Sequence, residues 1–341
     1  MQRTGIGREM EMVKGVAKLV DNIMAVKAGE KVLIVTDTGM DPSIPALFAI
    51  VAADRGTDPI VMTMKPREFH GAQPPEHVAG AMKCSDVIFE VTSVFIGHSQ
   101  ARFDACKGGA RYVTLPELDS RMLIGPAGLD CNFEAMVPMV TKLGEIVTKG
   151  KEMRITTAAG TNFTCNIEGR VARALHGLLR NKGDFGPTPD IEVSVAPIEE
   201  TCNGVVVIDG FIVGVGIIST PVKITFKKGK AVKFEGGREA KELEQMLSNS
   251  SDPGAFDVCE VGLGLNPKAN LNLGTTLEAE GTYGTAHVAT GSKLWPEAGK
   301  VAALHIDMVF YGLTCEVDGE VIIKDGDVVE KYKKLSAEAF K

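Results

Sequence analysis

Along the first 150 residues, short β-branched apolar runs alternate with longer stretches of helical period. Lys31-Val32-Leu33-Ile34-Val35-Thr36 has the unbroken apolar character of a strand buried on both faces, and Ile44 to Asp54 predicts the helix after it. Pro59 to Met64, Asp86 to Val91 and Arg111 to Leu115 predict further strands, with helical segments at Glu76 to Lys83 and Gln100 to Lys107 between them. Strands that alternate with helices in this way build a parallel sheet. A helix from about Asn132 to Lys149, ending near Gly150, leads into the second half.

From Met153 onward the texture changes to strands joined by Gly-containing turns. Strands are predicted at Arg154 to Thr157, Asn162 to Ile167, Ile191 to Val195, Gly204 to Ile208, Phe211 to Ile217, Val222 to Phe226 and Ala231 to Phe234. Asp209-Gly210 and Lys228-Gly229 read as hairpin turns. One helix, about Gly237 to Leu247, interrupts this mostly antiparallel region. The expected architecture is therefore an α/β domain with a parallel sheet over 1–150, followed by a β-rich α+β domain over 151–341. No internal repeat or low-complexity tract is visible.

Composition narrows the function classes. The net charge is −7 and no basic block stands out, which argues against nucleic acid or an anionic membrane as partner. The Lys227-Lys228-Gly229-Lys230 cluster fits a solvated hairpin tip. No run approaches the roughly 20 apolar residues of a membrane span, and the N-terminal stretch has no continuous apolar core for a signal peptide, so a cytoplasmic protein is expected. The seven cysteines are dispersed, odd in number and never spaced Cys-x-x-Cys, a pattern of free thiols in a reducing compartment.

The candidate chemistry lies in the second half. Leu304-His305-Ile306-Asp307-Met308 sets an imidazole and a carboxylate two residues apart in an apolar run, and on a strand positions i and i+2 share a face. A carboxylate there is costly to bury unless it is paired or bound to a cation. His287, one of only six histidines, lies upstream in Gly284-Thr285-Ala286-His287-Val288-Ala289-Thr290-Gly291. Glu260 stands among apolar and glycine neighbours and needs a partner for its charge. Glu199 and Glu200 follow Pro197; alternation lets at most one of them face a common site. Three carboxylates and two imidazoles suit a pair of divalent ions, whereas two histidines and one carboxylate suit mononuclear iron(II). The residues alone leave both counts open.

Other signals exclude more than they suggest. Gly262-Leu263-Gly264 lacks the third glycine of a dinucleotide fingerprint, and the first strand runs into Thr36-Asp37-Thr38-Gly39-Met40-Asp41-Pro42 rather than a phosphate loop. No Gly-x-Ser-x-Gly elbow is present. His98-Ser99 follows a predicted strand at the edge where α/β sheets place functional loops, so His98 is either a helix-cap neighbour or a catalytic group. His70, His77 and His176 have no evident partners in the sequence.

With these residues in view, the chain resembles the aminopeptidase T family of metallopeptidases and the related 2,5-dihydroxypyridine 5,6-dioxygenases. The peptidase pattern is a Glu-Glu pair after proline, a Gly/Cys-Glu-Val segment, a Ser/Ala-His-Ile/Val-Ala-x-Gly segment and a final His-x-Asp. It is matched in order by Pro197-Ile198-Glu199-Glu200, Cys259-Glu260-Val261, Ala286-His287-Val288-Ala289-Thr290-Gly291 and His305-Ile306-Asp307. The resemblance implies two divalent ions (zinc, cobalt or manganese) held by Glu200 or Glu199, Glu260, His287, His305 and Asp307. It further implies hydrolysis of an N-terminal or small amide, a small-molecule or peptide substrate, and a homodimer. The peptidases carry a tyrosine about two turns after the ligand histidine where this sequence has Leu294-Trp295; the nearest phenol is Tyr283.

The dioxygenase branch is resembled at Gly236-Gly237-Arg238-Glu239-Ala240, at Gly262-Leu263-Gly264-Leu265-Asn266-Pro267 and at His98-Ser99, where its members place an acid/base histidine. That branch implies a single iron(II). At the position of Glu260, however, it has a histidine ligand, and at the position of His287 an apolar residue.

Overall fold

The computed structural model describes residues 6–250, 252–291 and 304–341; Leu294 and Trp295 lie outside the described residues. The chain divides into two compact units, residues 1–130 with 177–189, and residues 131–176 with 190–341. The expected boundary at residue 150 differs from this division in two ways. The helix Phe133–Lys149 belongs with the second unit, because its apolar stripe of Met136, Met139, Val140, Leu143 and Val147 is buried against strands of that unit. The chain also returns to the first unit at 177–189 to add one more strand.

The first unit holds a parallel sheet of β1 (Val32–Asp37), β2 (Ile60–Met64), β3 (Val87–Val91), β4 (Arg111–Thr114) and β8 (Phe185–Pro187), in the order β2-β1-β3-β4-β8. Every residue of β1 and β3 is buried, which explains why these strands read as continuous rather than alternating apolar runs. The helices Ser43–Asp54, Glu76–Lys83 and Gln100–Lys107 fall where the periodicity places them. Ser99 caps the last of these through its hydroxyl, which accepts from the Arg102 amide.

The second unit carries two antiparallel sheets. One has eight strands in the order β14-β13-β10-β6-β5-β18-β19-β20. Their ranges are β5 (Glu152–Thr156), β6 (Asn162–Asn166), β10 (Asn203–Ile208), β13 (Val222–Lys227), β14 (Lys230–Glu235), β18 (Thr314–Val317), β19 (Glu320–Lys324) and β20 (Asp327–Val328). The other has seven, in the order β12-β11-β17-β16-β15-β9-β7, formed by β7 (Arg173–Leu175), β9 (Glu192–Val195), β11 (Phe211–Ile212), β12 (Gly216–Ile217), β15 (Val258–Gly264), β16 (Thr285–Gly291) and β17 (His305–Tyr311).

Lys228-Gly229 forms the hairpin turn expected between β13 and β14. Asp209-Gly210 does not form one: it passes the chain from the first of these sheets to the second. The single strand expected over 211–217 is broken at Gly214, whose φ of 81° turns the chain so that β11 and β12 pair with each other. The helix expected over 237–247 spans Arg238–Asn249. All seven cysteines are free thiols, and among the described residues no helix is long and apolar enough to cross a membrane.

Candidate metal centre

Three neighbouring strands of the seven-stranded sheet, with β9 beside them, aim the candidate residues at one another. Directly opposed residues of an antiparallel pair point to the same face. Glu192 opposes Gly264, Ser194 opposes Gly262, Gly262 opposes His287, Glu260 opposes Ala289, and Ala289 opposes Asp307, while Gly291 opposes His305. Glu192, Glu260, His287, His305 and Asp307 therefore share one face. Between them stand the small residues Gly262, Gly264, Ala289 and Gly291, which leave the space above the sheet to the five functional side chains. A methyl group on Gly262 would lie 2.1 Å from the His287 ring and 2.9 Å from Glu192 Oε2.

The side chains form two triads that have Glu260 in common: Glu192, Glu260 and His287, and Glu260, His305 and Asp307, with donor atoms in each within 4.8 Å of one another. His287 Nε2 lies 3.4 Å from Glu192 Oε2; His305 Nε2 lies 3.5 Å from Glu260 Oε2 and 3.2 Å from Asp307 Oδ2. An ion with ligand bonds near 2.1 Å in tetrahedral geometry separates its donors by about 3.4 Å. The spacing thus fits donors around a cation better than it fits short hydrogen bonds.

The electrostatics agree. Glu192, Glu260, His287 and Asp307 are almost wholly buried. Burial pushes the Glu192 carboxyl up to about 7, against the opposing pull of Arg173 and the Ser194 hydroxyl. It raises Glu260 as well, and the neighbouring Glu192 adds to the effect. Burial also works to raise Asp307, but the charge and hydrogen bond of His305 outweigh it and hold that carboxyl below its usual range. His305 is correspondingly raised, despite its burial, by Asp307 and Cys259. Among the described residues, Glu192 Oε2, Glu260 Oε2 and His287 Nδ1 are buried without a hydrogen-bond partner. Such orphaned donors and acceptors are rare in native interiors, and a bound cation would satisfy the carboxylates. The residues present fit a metal centre.

Two further carboxylates enclose it. Asp190 is two residues before Glu192, buried, and raised first by burial and then by Glu192. Glu280, at the end of the short helix Thr276–Gly281, shares a hydrogen bond with Asp307 and is also raised, chiefly by burial.

The structure brings together four of the residues expected to hold metal, Glu260, His287, His305 and Asp307, and sets Glu192 beside them rather than Glu199 or Glu200. Glu199 is half exposed and paired with Arg170 at 2.7 Å. Glu200 is exposed, in a turn with φ of 62°. Glu192 stands in their place. Its signal was the alternation in Asp190-Ile191-Glu192-Val193-Ser194-Val195, polar on one face and apolar on the other, in a segment already legible as a strand. Tyr283 is engaged elsewhere: its hydroxyl donates to Asp327 Oδ1 at 2.6 Å and accepts from the Val328 amide. His98 lies in the first unit, edge-on to Phe95 with ring centroids 4.5 Å apart.

The sequence model of the family described as "NicX: 2,5-dihydroxypyridine 5,6-dioxygenase" matches residues 16–330. The chain belongs to this family. A curated relative, the 2,5-dihydroxypyridine 5,6-dioxygenase of Pseudomonas putida KT2440, is 23% identical over 268 residues, covering 73% of this chain and 72% of its own. The solved structure of 2,5-dihydroxypyridine dioxygenase from Pseudomonas putida KT2440 superposes with a TM-score of 0.79 at 18% identity, over 96% of this chain and 99% of that one. Wild-type AmpT from Thermus thermophilus superposes with a TM-score of 0.68 at 16% identity, over 94% and 99%. At these identities the two structures share the fold with this chain, a parallel α/β part with antiparallel sheets, as the sequence predicted. The motifs rank the peptidases first and the dioxygenases second. Family membership reverses that order, and the chain is a member of an enzyme family whose model and curated relative are both named 2,5-dihydroxypyridine 5,6-dioxygenase.

Proposed function

We propose that this chain is a metal-dependent hydrolase of amide bonds in peptides or small molecules, built on the dioxygenase family's fold. The observation that carries the reading is that Glu260 belongs to both triads. A carboxylate common to two ligand sets is the arrangement that holds two divalent ions side by side, and neither triad contains the two histidines of a mononuclear iron(II) oxygenase site. A fold hosts many chemistries, so the donor set weighs more than the family's name.

Glu192 and His287 would hold one ion, His305 and Asp307 the other, and Glu260 both. When bound, such a pair supplies Lewis acidity for a scissile carbonyl and a water acidic enough to ionise near neutrality. The protein's part is to keep these donors rigid and dry. The rigid sheet fixes their spacing, Glu280 fixes the Asp307 carboxyl, and an apolar cluster of Phe211, Leu271, Ala279 and Val309 occupies the neighbouring positions.

Family membership and the name of the curated relative favour a second reading, a ring-opening iron(II) dioxygenase in which His305, Asp307 and Glu260 bind one iron. Protein purified under nitrogen separates the two. Two ions per chain with amino acid release from aminoacyl amides supports hydrolysis. One iron per chain with oxygen uptake on dihydroxypyridines refutes it.

A further inference from the structure

The register of β15 slips where it enters the site. Val258 opposes Thr290 and Glu260 opposes Ala289, so Cys259 is an extra residue with no partner on β16, a β-bulge. In a regular strand Cys259 would point away from the face that Glu260 occupies. The bulge re-aims it, and its Sγ lies 3.4 Å from Nδ1 of His305, two strands away on β17. On β16, the residue opposite His305 is Gly291, which has no side chain to fill the gap. The other ring nitrogen of His305, Nε2, is the one that faces Glu260 and Asp307.

We infer that Cys259 is a positioning residue of the metal centre: its sulfur accepts from Nδ1–H of His305, fixing the ring's orientation and the tautomer that presents the Nε2 lone pair to the ion. The inference rests on the two-metal reading of the site. A ligand histidine usually donates its second nitrogen to a carboxylate, a carbonyl or water, which raises its basicity, and loss of such a partner costs metal affinity. A thiol is a weaker acceptor than any of these. It therefore gives His305 a softer hold and a weaker charge push than a carboxylate would.

The test compares the full chain as wild type, Cys259→Ser, Cys259→Ala and His305→Ala, each stripped and reloaded with cobalt(II). The readouts are chelator competition, the visible cobalt spectrum and thermal melting. Cys259→Ala should weaken one of the two ions about 10- to 100-fold and shift its absorption band while leaving the other in place. Cys259→Ser, whose hydroxyl can accept from the same nitrogen, should recover most of the loss. Unchanged affinity and spectrum in Cys259→Ala, in a protein that binds two ions and loses one on His305→Ala, would overturn the role of Cys259 and leave the metal centre standing. Equal losses in the Ser and Ala variants, with both melting early, would show that the sulfur only fills space and would overturn it too. A wild type that takes up no cobalt, or a His305→Ala variant that loses none, would defeat the metal-site reading and this inference together.

Discussion

Gly262 is the position at which the two-ion reading is most exposed to a single methyl group. It sits on β15 opposite both Ser194 and His287, and a Cβ there would come 2.1 Å from Cε1 and Nε2 of the imidazole and 2.9 Å from Glu192 Oε2. Ordinary carbon contacts begin at about 3.5 Å, so the His287 ring has to retreat by more than about 1 Å. Metal-ligand distances tolerate only about 0.2 Å. The displacement is several times that margin, and His287 cannot serve as a ligand from its new place. Gly262→Ala should therefore reduce the metal content from two ions per chain toward one, with affinity at the Glu192–His287 position down at least about 100-fold. The triad of Glu260, His305 and Asp307 keeps its ion. Overpacking of this kind costs about 1–3 kcal/mol, small enough for the variant to fold. Metal analysis after dialysis, alongside a thermal melt, reads both quantities. A folded Gly262→Ala protein that retains two ions at wild-type affinity would refute the reasoning.

Three further outcomes follow from the same geometry. Glu192→Gln should lose one ion per chain, whereas Glu200→Gln, which alters an exposed turn residue, should keep both; an ion lost from Glu200→Gln and none from Glu192→Gln would return the ligand assignment to the Glu199-Glu200 pair. Stripping the ions with a chelator should lower the melting temperature, because ligands that bind only the native state stabilise it by about 2.7 kcal/mol at a hundred times Kd; an unchanged melt with verified metal loss would contradict a centre built into the core. In the first unit, Arg111 clamps Glu30 with two hydrogen bonds at 3.0 and 2.8 Å, and although burial pushes the Glu30 carboxyl up, Arg111 and the Lys27 amide hold it below its ordinary value. A depressed carboxyl stabilises the fold above its unfolded pKa of about 4.3 and loses that contribution as the pH falls through the folded value. Glu30→Gln should thus cost about 1–2 kcal/mol at pH 7, and the gap from wild type in urea melts should close below pH 4.

How far the sequence carried the structure depended on whether the signal was local. The helices at 76–83 and 100–107 were bounded by residues that cap or break helices on the spot, and the structure places them there. His305 and Asp307 were legible as a pair because the period of a strand is a local property. Glu192 was not, although its strand was. Which carboxylate along a chain faces His287 depends on the register of β9 against β15, and register follows from pairing between segments more than sixty residues apart. Glu199 and Glu200 follow Pro197 at the surface, where an ion pair to Arg170 already accounts for Glu199. The return of 177–189 to the parallel sheet through β8 is likewise a long-range pairing, with only three residues to announce it.

The family name and the donor set pull in different directions, and Glu260 is where the choice is made. An iron(II) site that must keep open positions for oxygen and substrate is served by few ligands, and a third carboxylate competes for those positions. Here Glu192, Glu260 and Asp307 crowd one face with Asp190 and Glu280 close behind, and burial raises four of these five carboxyls, with their negative neighbours adding to the shift. One divalent ion neutralises two of them. A second neutralises two more and leaves one for Arg173 to offset, His305 being neutral when its Nε2 lone pair faces an ion. On this argument Glu260→His removes one negative charge and the common ligand at once, so it should convert a two-ion protein into a one-ion protein. If amide hydrolysis survived Glu260→His unchanged, two ions would not be required for the reaction and the hydrolase proposal would have lost its structural basis.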